Sequence, residues 1–371
     1  MNLNASGSLY DAWLASACMP PDLTRRMLAL FHDSKSCYNA FEQQTDTIQH
    51  LIPSRFRILL EKNRTDEYMI RMEKLMIDNS IQVLRYDDTE YPDALKMIEA
   101  APAVLFFQGN LQCMKNRILA MVGSRAASYT GMKAARKLAT DLSRNGVAVV
   151  SGMACGIDTA SHRGCLEGGS PTIAVAANGL DTVYPKENIA LRNEILSGNG
   201  LILSEYAPGE KPTGWHFPFR NRIIAGLGHA LILMEARIRS GSMTSVQHAL
   251  EQGKDVFVYP GDPASEHFEG NHQLLREGGI YFTSVEDILS DLDWLDNQTP
   301  VRQNIDCSVC RTALPPEQAS VIQALKPGSL SFEQLLVQTN LDPPVLMSTL
   351  TIMQIGGVIE SLPGKIYQLK H

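Results

Sequence analysis

Residues 118–158 read ILAMVGSRAASYTGMKAARKLATDLSRNGVAVVSGMACGID. Two short apolar runs, ILAMV and VAVVSG, flank a segment of helix length, and each run leads into a loop rich in small residues. Uninterrupted apolar strands that alternate with helices are typical of parallel strands covered on both faces. The stretch therefore predicts a βαβ unit within an α/β domain, an extended Rossmann-like doubly wound sheet that is mostly parallel.

The alternation continues on both sides of this stretch. Downstream, strands are predicted in PTIAVAA, GLILSE, HALILMEA, DVFVYPG and GGIYFTS. Upstream, IQVLRY and AVLFFQG are predicted to extend the same sheet, and Pro102 is expected to keep the second of these strands at an edge. We predict that this domain covers residues 81–288.

The flanking segments predict two further modules and a linker. Residues 1–80 read as short helices, either a SAM-like or a degenerate helix-hairpin-helix module, and the turn CMPPD lacks the glycines that would hold a phosphate. Residues 289–313 are a polar linker. Residues 314–371 contain three helix candidates and a strand-turn-strand, an order typical of a winged helix. The third helix has no lysine or arginine, so we expect this module to contact protein or its own chain rather than duplex DNA.

Composition restricts the class of protein. The chain has 371 residues, of which 44% are hydrophobic and 20% charged, as expected for a globular protein. It has neither a run long enough to span a membrane nor a signal-peptide pattern, so we expect a cytoplasmic protein without a membrane partner. The net charge of −7 argues against non-specific coating of nucleic acid. Any anion site must be a local concentration of positive charge.

The cysteines do not indicate a disulfide framework. There are seven of them, scattered along the chain, which fits a reducing compartment. Cys307 and Cys310 form a CxxC pair without a second pair nearby, and we interpret it as a coincidence in the linker rather than a zinc site. Neither a metal nor a cofactor is expected.

Two strand-to-helix loops could bind an anion. Gly123-Ser124-Arg125 would offer backbone N–H groups, a helix N-terminus and a guanidinium to a phosphate. The loop matches neither a dinucleotide fingerprint nor a Walker motif. In the loop after VAVVSG, Asp158 is expected to cap a helix. His162, one turn later, could pair with Asp158, but a structural role for this histidine is the stronger interpretation.

A cationic and aromatic cluster follows in FPFRNR, residues 217–222. Phe217 could stack on a base, a contact worth about 1–3 kcal/mol. Arg220 and Arg222 are predicted to project from a sheet edge into a cleft and contact phosphates, rather than to line a helix face. The alternative is that they form ion pairs with carboxylates such as Glu205 or Glu235.

Taken in order, several motifs resemble those of the DNA-processing protein A family (DprA, also called Smf). They are GSRAAS, SGMACGIDTASH, GLDTVYPKEN, SEYAPGEKP, FPFRNRIIAGL, EARIRSGSMTS and VYPGDP. The resemblance implies a non-enzymatic, homodimeric protein that binds and protects single-stranded DNA and loads the RecA recombinase in natural transformation. It also implies a set of DNA-binding positions: Gly123, Ser124, Arg125, Lys186, Phe217, Arg220, Asn221, Arg222, Gly241 and Ser242.

Two other functions remain open from the sequence. A Rossmann-type enzyme that binds or cleaves a nucleoside monophosphate would need a catalytic carboxylate, for which Glu235 at a strand end is the nearest candidate. A transcription regulator that uses the winged helix is disfavoured by the nearly neutral composition of that module.

Overall fold

The computed structural model describes residues 5–42, 46–295, 316–326, 328–339, 341–355, 358–362 and 366–369. The chain divides into two compact units, Met1–Leu295 and Asp296–His371. Cys307 and Cys310 lie outside the described residues. In the described part of the chain, no helix is both long and apolar enough to cross a bilayer.

The first unit begins with short helices packed around Trp13. They are α1 Ala5–Ala15, α2 Pro21–Phe31, α3 Ser34–Glu42, α4 Asp46–Leu51, α5 Ser54–Lys62 and α6 Asp66–Asp78. The Trp13 side chain is fully buried, and its Nε1 donates a hydrogen bond to the Leu60 carbonyl over 2.9 Å. Thr65 caps α6 by accepting from the Tyr68 N–H. The fixed contact between Trp13 and Leu60 ties α1 to α5 across the module.

A nine-stranded sheet follows in the described residues of this unit. The strands are β1 Gln82–Arg85, β2 Val104–Gly109, β3 Arg117–Val122, β4 Val147–Ser151, β5 Thr172–Val175, β6 Leu201–Ser204, β7 Ala230–Leu233, β8 Val256–Val258 and β9 Ile280–Tyr281. Their order is β1-β2-β6-β5-β4-β3-β7-β8-β9. In this order, every neighbouring pair from β6 to β9 is parallel, whereas β2 is antiparallel to both of its neighbours, β1 and β6. The predicted doubly wound, mostly parallel sheet is confirmed.

The expected edge position of AVLFFQG is wrong. This segment forms β2, which pairs with β1 on one side and β6 on the other. Pro102 precedes the strand, so its missing N–H interrupts no ladder hydrogen bond. Proline therefore gives no information about which strand lies at the edge.

Helices cover both faces of the sheet. They are α7 Asp93–Lys96, α8 Tyr129–Arg144, α9 Ile157–Gly168, α10 Ile189–Ser197, α11 His216–Leu227, α12 Ser242–Glu251, α13 Glu269–Arg276 and α14 Val285–Asp291. Alternate residues of β3 face opposite sides, as the period of a strand requires. Ala120 packs in a core with residues of α11 and α12, whereas Leu119 and Met121 pack with residues of α8, α9 and α14.

The FPFRNR segment lies in helix α11, so the prediction that its arginines project from a sheet edge is wrong. Pro218 occupies the first turn of α11, where a missing N–H removes no intrahelical bond. Residues two apart on a helix do not share a face. Arg220 and Arg222 are consequently directed to different surroundings.

The second unit has the predicted winged-helix element order. It contains α15 Pro316–Leu325, α16 Phe332–Thr339, α17 Pro343–Ile355 and the strands β10 Leu330–Ser331, β11 Ile359–Leu362 and β12 Ile366–Leu369. The strands pair antiparallel in the order β10-β12-β11. The hydrophobic core of this unit includes Val321, Leu335, Leu350 and Tyr367.

Candidate functional site

A cleft of about 740 Å³ lies at the carboxyl ends of β3 and β4. Strand order reverses at β3, which pairs with β4 on one side and β7 on the other. In open α/β sheets such a switch point leaves a crevice in which ligands bind. The cleft lining includes every predicted site residue except Lys186 and Arg222, namely Gly123, Ser124, Arg125, Phe217, Arg220, Asn221, Gly241 and Ser242.

The Gly123-Ser124-Arg125 loop is held by backbone contacts. Ser124 N–H donates to the Glu235 carbonyl over 2.7 Å, and its carbonyl accepts from the Ile157 N–H over 3.2 Å. A Cβ on Gly123 would lie 2.5 Å from an Ile157 side-chain carbon, so only glycine allows this close approach. These contacts fix Gly123 and Ser124, and the side chain of the next residue, Arg125, is exposed at the cleft.

Glu235 stabilises this loop through hydrogen bonds of its side chain. Its carboxylate is fully buried and accepts from the Ser128 N–H at 2.9 Å, from the Ser128 hydroxyl and from Nδ1 of His267 at 3.1 Å. Ser128 in turn caps α8. Glu235 is not among the residues that line the cleft. Its oxygens are occupied in positioning the loop, which weakens the case for Glu235 as a catalytic carboxylate.

Arg125 and two aromatic rings form one wall of the cleft. The Arg125 guanidinium carbon lies 4.5 Å from the centroid of the half-buried Phe217 ring. That ring lies 5.5 Å from the ring of Tyr184, which is 45% exposed. A cation over an aromatic face is attractive, and both surfaces remain able to stack on a planar group. This wall combines positive charge with a stacking surface.

Arg220 forms the floor of the cleft. Its side chain is buried, and Nη1 donates to the carbonyls of Gly152, at 2.8 Å, and Val175. Its Nε donates to Asn221 Oδ1 at 3.2 Å. Within the described residues Nη2 makes no hydrogen bond, which leaves its donors available to a ligand. Burial lowers the pKa of Arg220 to about 10, so the guanidinium stays charged at neutral pH.

Gly152 is required for this arrangement. A Cβ there would lie 2.6 Å from Nη2 of Arg220 and 2.8 Å from Oδ2 of Asp158. Asp158 accepts from the Ala154 N–H over 3.2 Å. Burial raises the pKa of Asp158, and the nearby Arg220 charge partly opposes this shift. The carboxylate and the guanidinium thus both lie beside Gly152, in the loop that follows β4.

The predicted capping role of Asp158 is wrong, and the disfavoured pair between Asp158 and His162 is not formed. Gly156, not Asp158, is the N-cap of α9, and Asp158 lies in the first turn of the helix. Nδ1 of His162 lies 2.8 Å from the Thr172 hydroxyl, and burial lowers its pKa to about 3. A buried, neutral imidazole bound to a core threonine has the structural role that was favoured for His162.

The N-terminus of α12 closes the opposite side of the cleft. Gly241 is its N-cap, none of the described side chains caps the helix, and its first turn carries no acidic residue. The hydroxyls of Ser240 and Ser242 lie 2.7 Å apart at this end. A helix N-terminus presents unpaired N–H groups and a partial positive charge, which favour an anion.

Comparison with known proteins assigns the chain to a family. Residues 82–293 match the family described as DNA recombination-mediator protein A, and residues 311–365 match the DprA winged helix domain. The chain belongs to the DNA recombination-mediator protein A family. The predicted resemblance is confirmed.

Relatives in this family agree in sequence and in fold. DNA processing protein DprA of Streptococcus pneumoniae is 45% identical over 207 residues, which are 56% of this chain and 73% of that protein. A crystal structure of DprA from Streptococcus pneumoniae superimposes with a TM-score of 0.64 at 35% identity, covering 76% of this chain and 97% of the other. DNA processing protein A of Helicobacter pylori, whose structure concerns its single-stranded DNA binding mode, superimposes with a TM-score of 0.52 at 28% identity. That match covers 57% of this chain and 95% of the other.

Arg222 of this family member is directed away from the cleft. Its Nη2 donates to both carboxylate oxygens of Glu205, at 2.6 and 2.7 Å, while Nε and Nη1 donate to the carbonyls of Ala100 and Phe219. Only 5% of its side chain is exposed. The structure shows the alternative arrangement for Arg222, an ion pair with Glu205.

Lys186 is exposed and lies two residues beyond Tyr184, outside the lining of the cleft. Sequence reasoning missed Tyr184 and Asp158 as cleft residues, although Tyr184 belongs to the same GLDTVYPKEN motif as Lys186. Asp158 could be found from its position where the second loop runs into a helix, but not its proximity to Arg220, which comes from a distant helix.

Proposed function

We propose that the cleft binds a single strand of DNA and that the protein is a non-enzymatic mediator which protects incoming DNA and loads the RecA recombinase. The protein belongs to a recombination-mediator family, which supports this role. The observation that carries the proposal is the placement of Arg125 over the Phe217 ring in the same cleft as Arg220. A phosphate requires only the cations, whereas the aromatic wall suits a strand whose bases are unstacked.

The geometry favours a single strand over a duplex. A base can stack on Phe217 or Tyr184 only if its own face is free, and in a duplex those faces are covered by neighbouring bases. Arg125, Arg220 and the N-terminus of α12 would contact phosphates on either side of that base. Because these contacts displace counterions, we expect affinity to fall as salt rises.

The loading of RecA and the formation of a homodimer are proposed from family membership. The winged helix is proposed to contact protein or its own chain. Helix α17 carries no lysine or arginine, while Met347 and Ile352 on it are 50% and 58% exposed. Phosphate contacts are made mostly by charged side chains, and this helix has none, since its exposed polar residues Ser348 and Gln354 are neutral.

The proposal is tested by measuring equilibrium binding of a single-stranded oligonucleotide, its duplex and a mononucleotide at several salt concentrations. Arg125→Ala is compared with Arg144→Ala, which removes an exposed arginine from the far end of α8. We expect the single strand to bind most tightly, and Arg125→Ala to flatten the log–log salt slope by about 0.7 while Arg144→Ala leaves it unchanged. Equal binding of single strand and duplex would refute the proposal.

The same assay addresses the rival enzymatic function. Incubation with nucleoside monophosphates should release no free base or nucleoside. Release that is abolished by Glu235→Gln would establish the enzyme instead.

A further inference from the structure

We propose that Cys18, Glu210 and His216 form a binding site for a divalent metal ion of the zinc class, separate from the cleft. The thiol sulfur, a carboxylate oxygen and an imidazole nitrogen of these residues all lie within 4.8 Å of one another. They come from distant parts of the first unit. Cys18 lies between α1 and α2, Glu210 between β6 and α11, and His216 is the first residue of α11.

A hydrogen bond to Nδ1 of His216 leaves Nε2 as the ring nitrogen available to a metal. Nδ1 of His216 lies 3.1 Å from the Ala177 carbonyl, which can only accept, so Nδ1 carries the proton and Nε2 keeps its lone pair. Metal-binding histidines usually donate their second N–H to such a partner. The ring is also stacked on Tyr206 at 3.9 Å, and burial lowers its pKa, which keeps it neutral.

Among the residues that the structure describes, no cation compensates the charge of the other two groups. In the described residues no side chain or N–H pairs with the Glu210 carboxylate, although it is half-buried and burial raises its pKa. Burial and the charges of Glu210 and Glu205 raise the pKa of the Cys18 thiol to about 12. Glu205 is already paired with Arg222. A bound cation would supply the missing positive charge and deprotonate the thiol.

The donor set indicates the metal. Thiolate, imidazole and carboxylate together are typical ligands of Zn²⁺, at about 2.0–2.3 Å from the ion. Tetrahedral coordination at these lengths needs the donors to approach by about 1 Å, which the half-exposed Glu210 and Cys18 side chains can provide. Three protein ligands leave a fourth position for water or another group.

The location gives the metal a structural consequence. An ion here would join the connection between α1 and α2, which contains Cys18, to the start of α11, the helix that carries Arg220 and Asn221 into the cleft. Binding of Zn²⁺ is therefore expected to raise the thermal stability of the protein, because a ligand that binds only the folded state stabilises it.

Titration with Co²⁺, a spectroscopic substitute for Zn²⁺, tests the proposal. The full chain is first stripped of metal by a chelator and carries Cys307→Ser and Cys310→Ser, so that the CxxC pair cannot contribute a signal. We expect one equivalent of Co²⁺ to produce a thiolate-to-cobalt charge-transfer band and the intense visible bands of tetrahedral cobalt. Addition of Zn²⁺ should displace the cobalt and remove these bands.

Substitutions then identify the ligands. Cys18→Ser should abolish the charge-transfer band, whereas Cys155→Ser, which alters a half-exposed thiol in the loop after β4, should retain it. Glu210→Gln and His216→Gln should each weaken Co²⁺ binding by at least about 10-fold. Circular dichroism verifies that each variant is folded, and Glu210→Gln changes only a half-exposed, isosteric side chain. Absence of the band in the doubly substituted chain, or its persistence in Cys18→Ser, would overturn the proposal.

Discussion

Replacement of Arg222 by methionine tests whether this arginine is structural. The guanidinium makes two hydrogen bonds to Glu205 and one each to the carbonyls of Ala100 and Phe219. The side chains of Arg222 and Glu205 are only 5% and 15% exposed. Methionine fills most of the same volume but leaves the Glu205 charge buried and unpaired. Removal of one partner of a buried pair costs about 3–5 kcal/mol.

The assay is unfolding of the first unit by urea and by heat. For a domain of more than about 150 residues, a loss of about 3–5 kcal/mol in the free energy of unfolding lowers the melting temperature by roughly 6–20 °C. The double variant Arg222→Met, Glu205→Leu removes both charges and should recover most of the loss, because an ion pair replaced as a whole by apolar residues is often neutral. Single-stranded DNA affinity, measured at a temperature where Arg222→Met is folded, should stay within about twofold of wild type, since Arg222 contacts no phosphate in this account.

Two outcomes would contradict this reasoning. If Arg222→Met unfolds like wild type, the buried pair contributes little and the observed contacts do not have their expected energy. If the variant is stable but binds single strands at least about tenfold more weakly, Arg222 contacts DNA as the resemblance implied, and its side chain must leave Glu205 to do so.

Three further predictions concern the cleft and the core. Phe217→Leu keeps an apolar side chain but removes the ring, so single-strand affinity should fall by about 1–3 kcal/mol in a fluorescence anisotropy titration, and an unchanged affinity would exclude stacking. Gly152→Ala should displace the Arg220 guanidinium and weaken binding about tenfold or more in the same titration, whereas Gly214→Ala, which meets nothing within 4 Å, should not. The pKa of His162 is about 3 in the folded state, below its ordinary 6.5, so the unfolded chain binds the extra proton between these values and stability falls as pH drops below 6.5. Urea unfolding at pH 7 and pH 5 should show a loss of about 2 kcal/mol that is absent in His162→Gln, and an equal loss in both proteins would contradict a buried neutral His162.

The fold of the central domain could be predicted because its signals are local and periodic. Each parallel strand is a short apolar run, and each segment between two strands is long enough to form a helix. The alternation of strands and helices can therefore be recognised without tertiary information. The helix α11 was missed because the start of its sequence gives no local helix signal. Phe217, Pro218 and Phe219 in succession resemble a loop, and no side chain caps the helix start.

The candidate site was only partly predictable. Gly123, Ser124 and Arg125 follow directly from their place between a strand and a helix. The separation of Arg220 from Arg222 depends on the helical path of α11, and the burial of Arg220 depends on Gly152, a residue in a different loop. Likewise, the approach of Cys18 to Glu210 and His216 joins segments far apart in the chain, and no spacing in the sequence indicates it.

Photo-crosslinking tests the central claim most directly. A single strand of about ten nucleotides carrying 5-iodouracil is bound to the full chain and irradiated, and the crosslinked peptides are identified by mass spectrometry. Because iodouracil crosslinks to aromatic rings on which it stacks, we expect crosslinks on the peptides that contain Phe217 or Tyr184. The crosslink on the Phe217 peptide should be lost in Phe217→Leu. Crosslinks confined to residues 316–369, with none on either aromatic of the cleft, would contradict it.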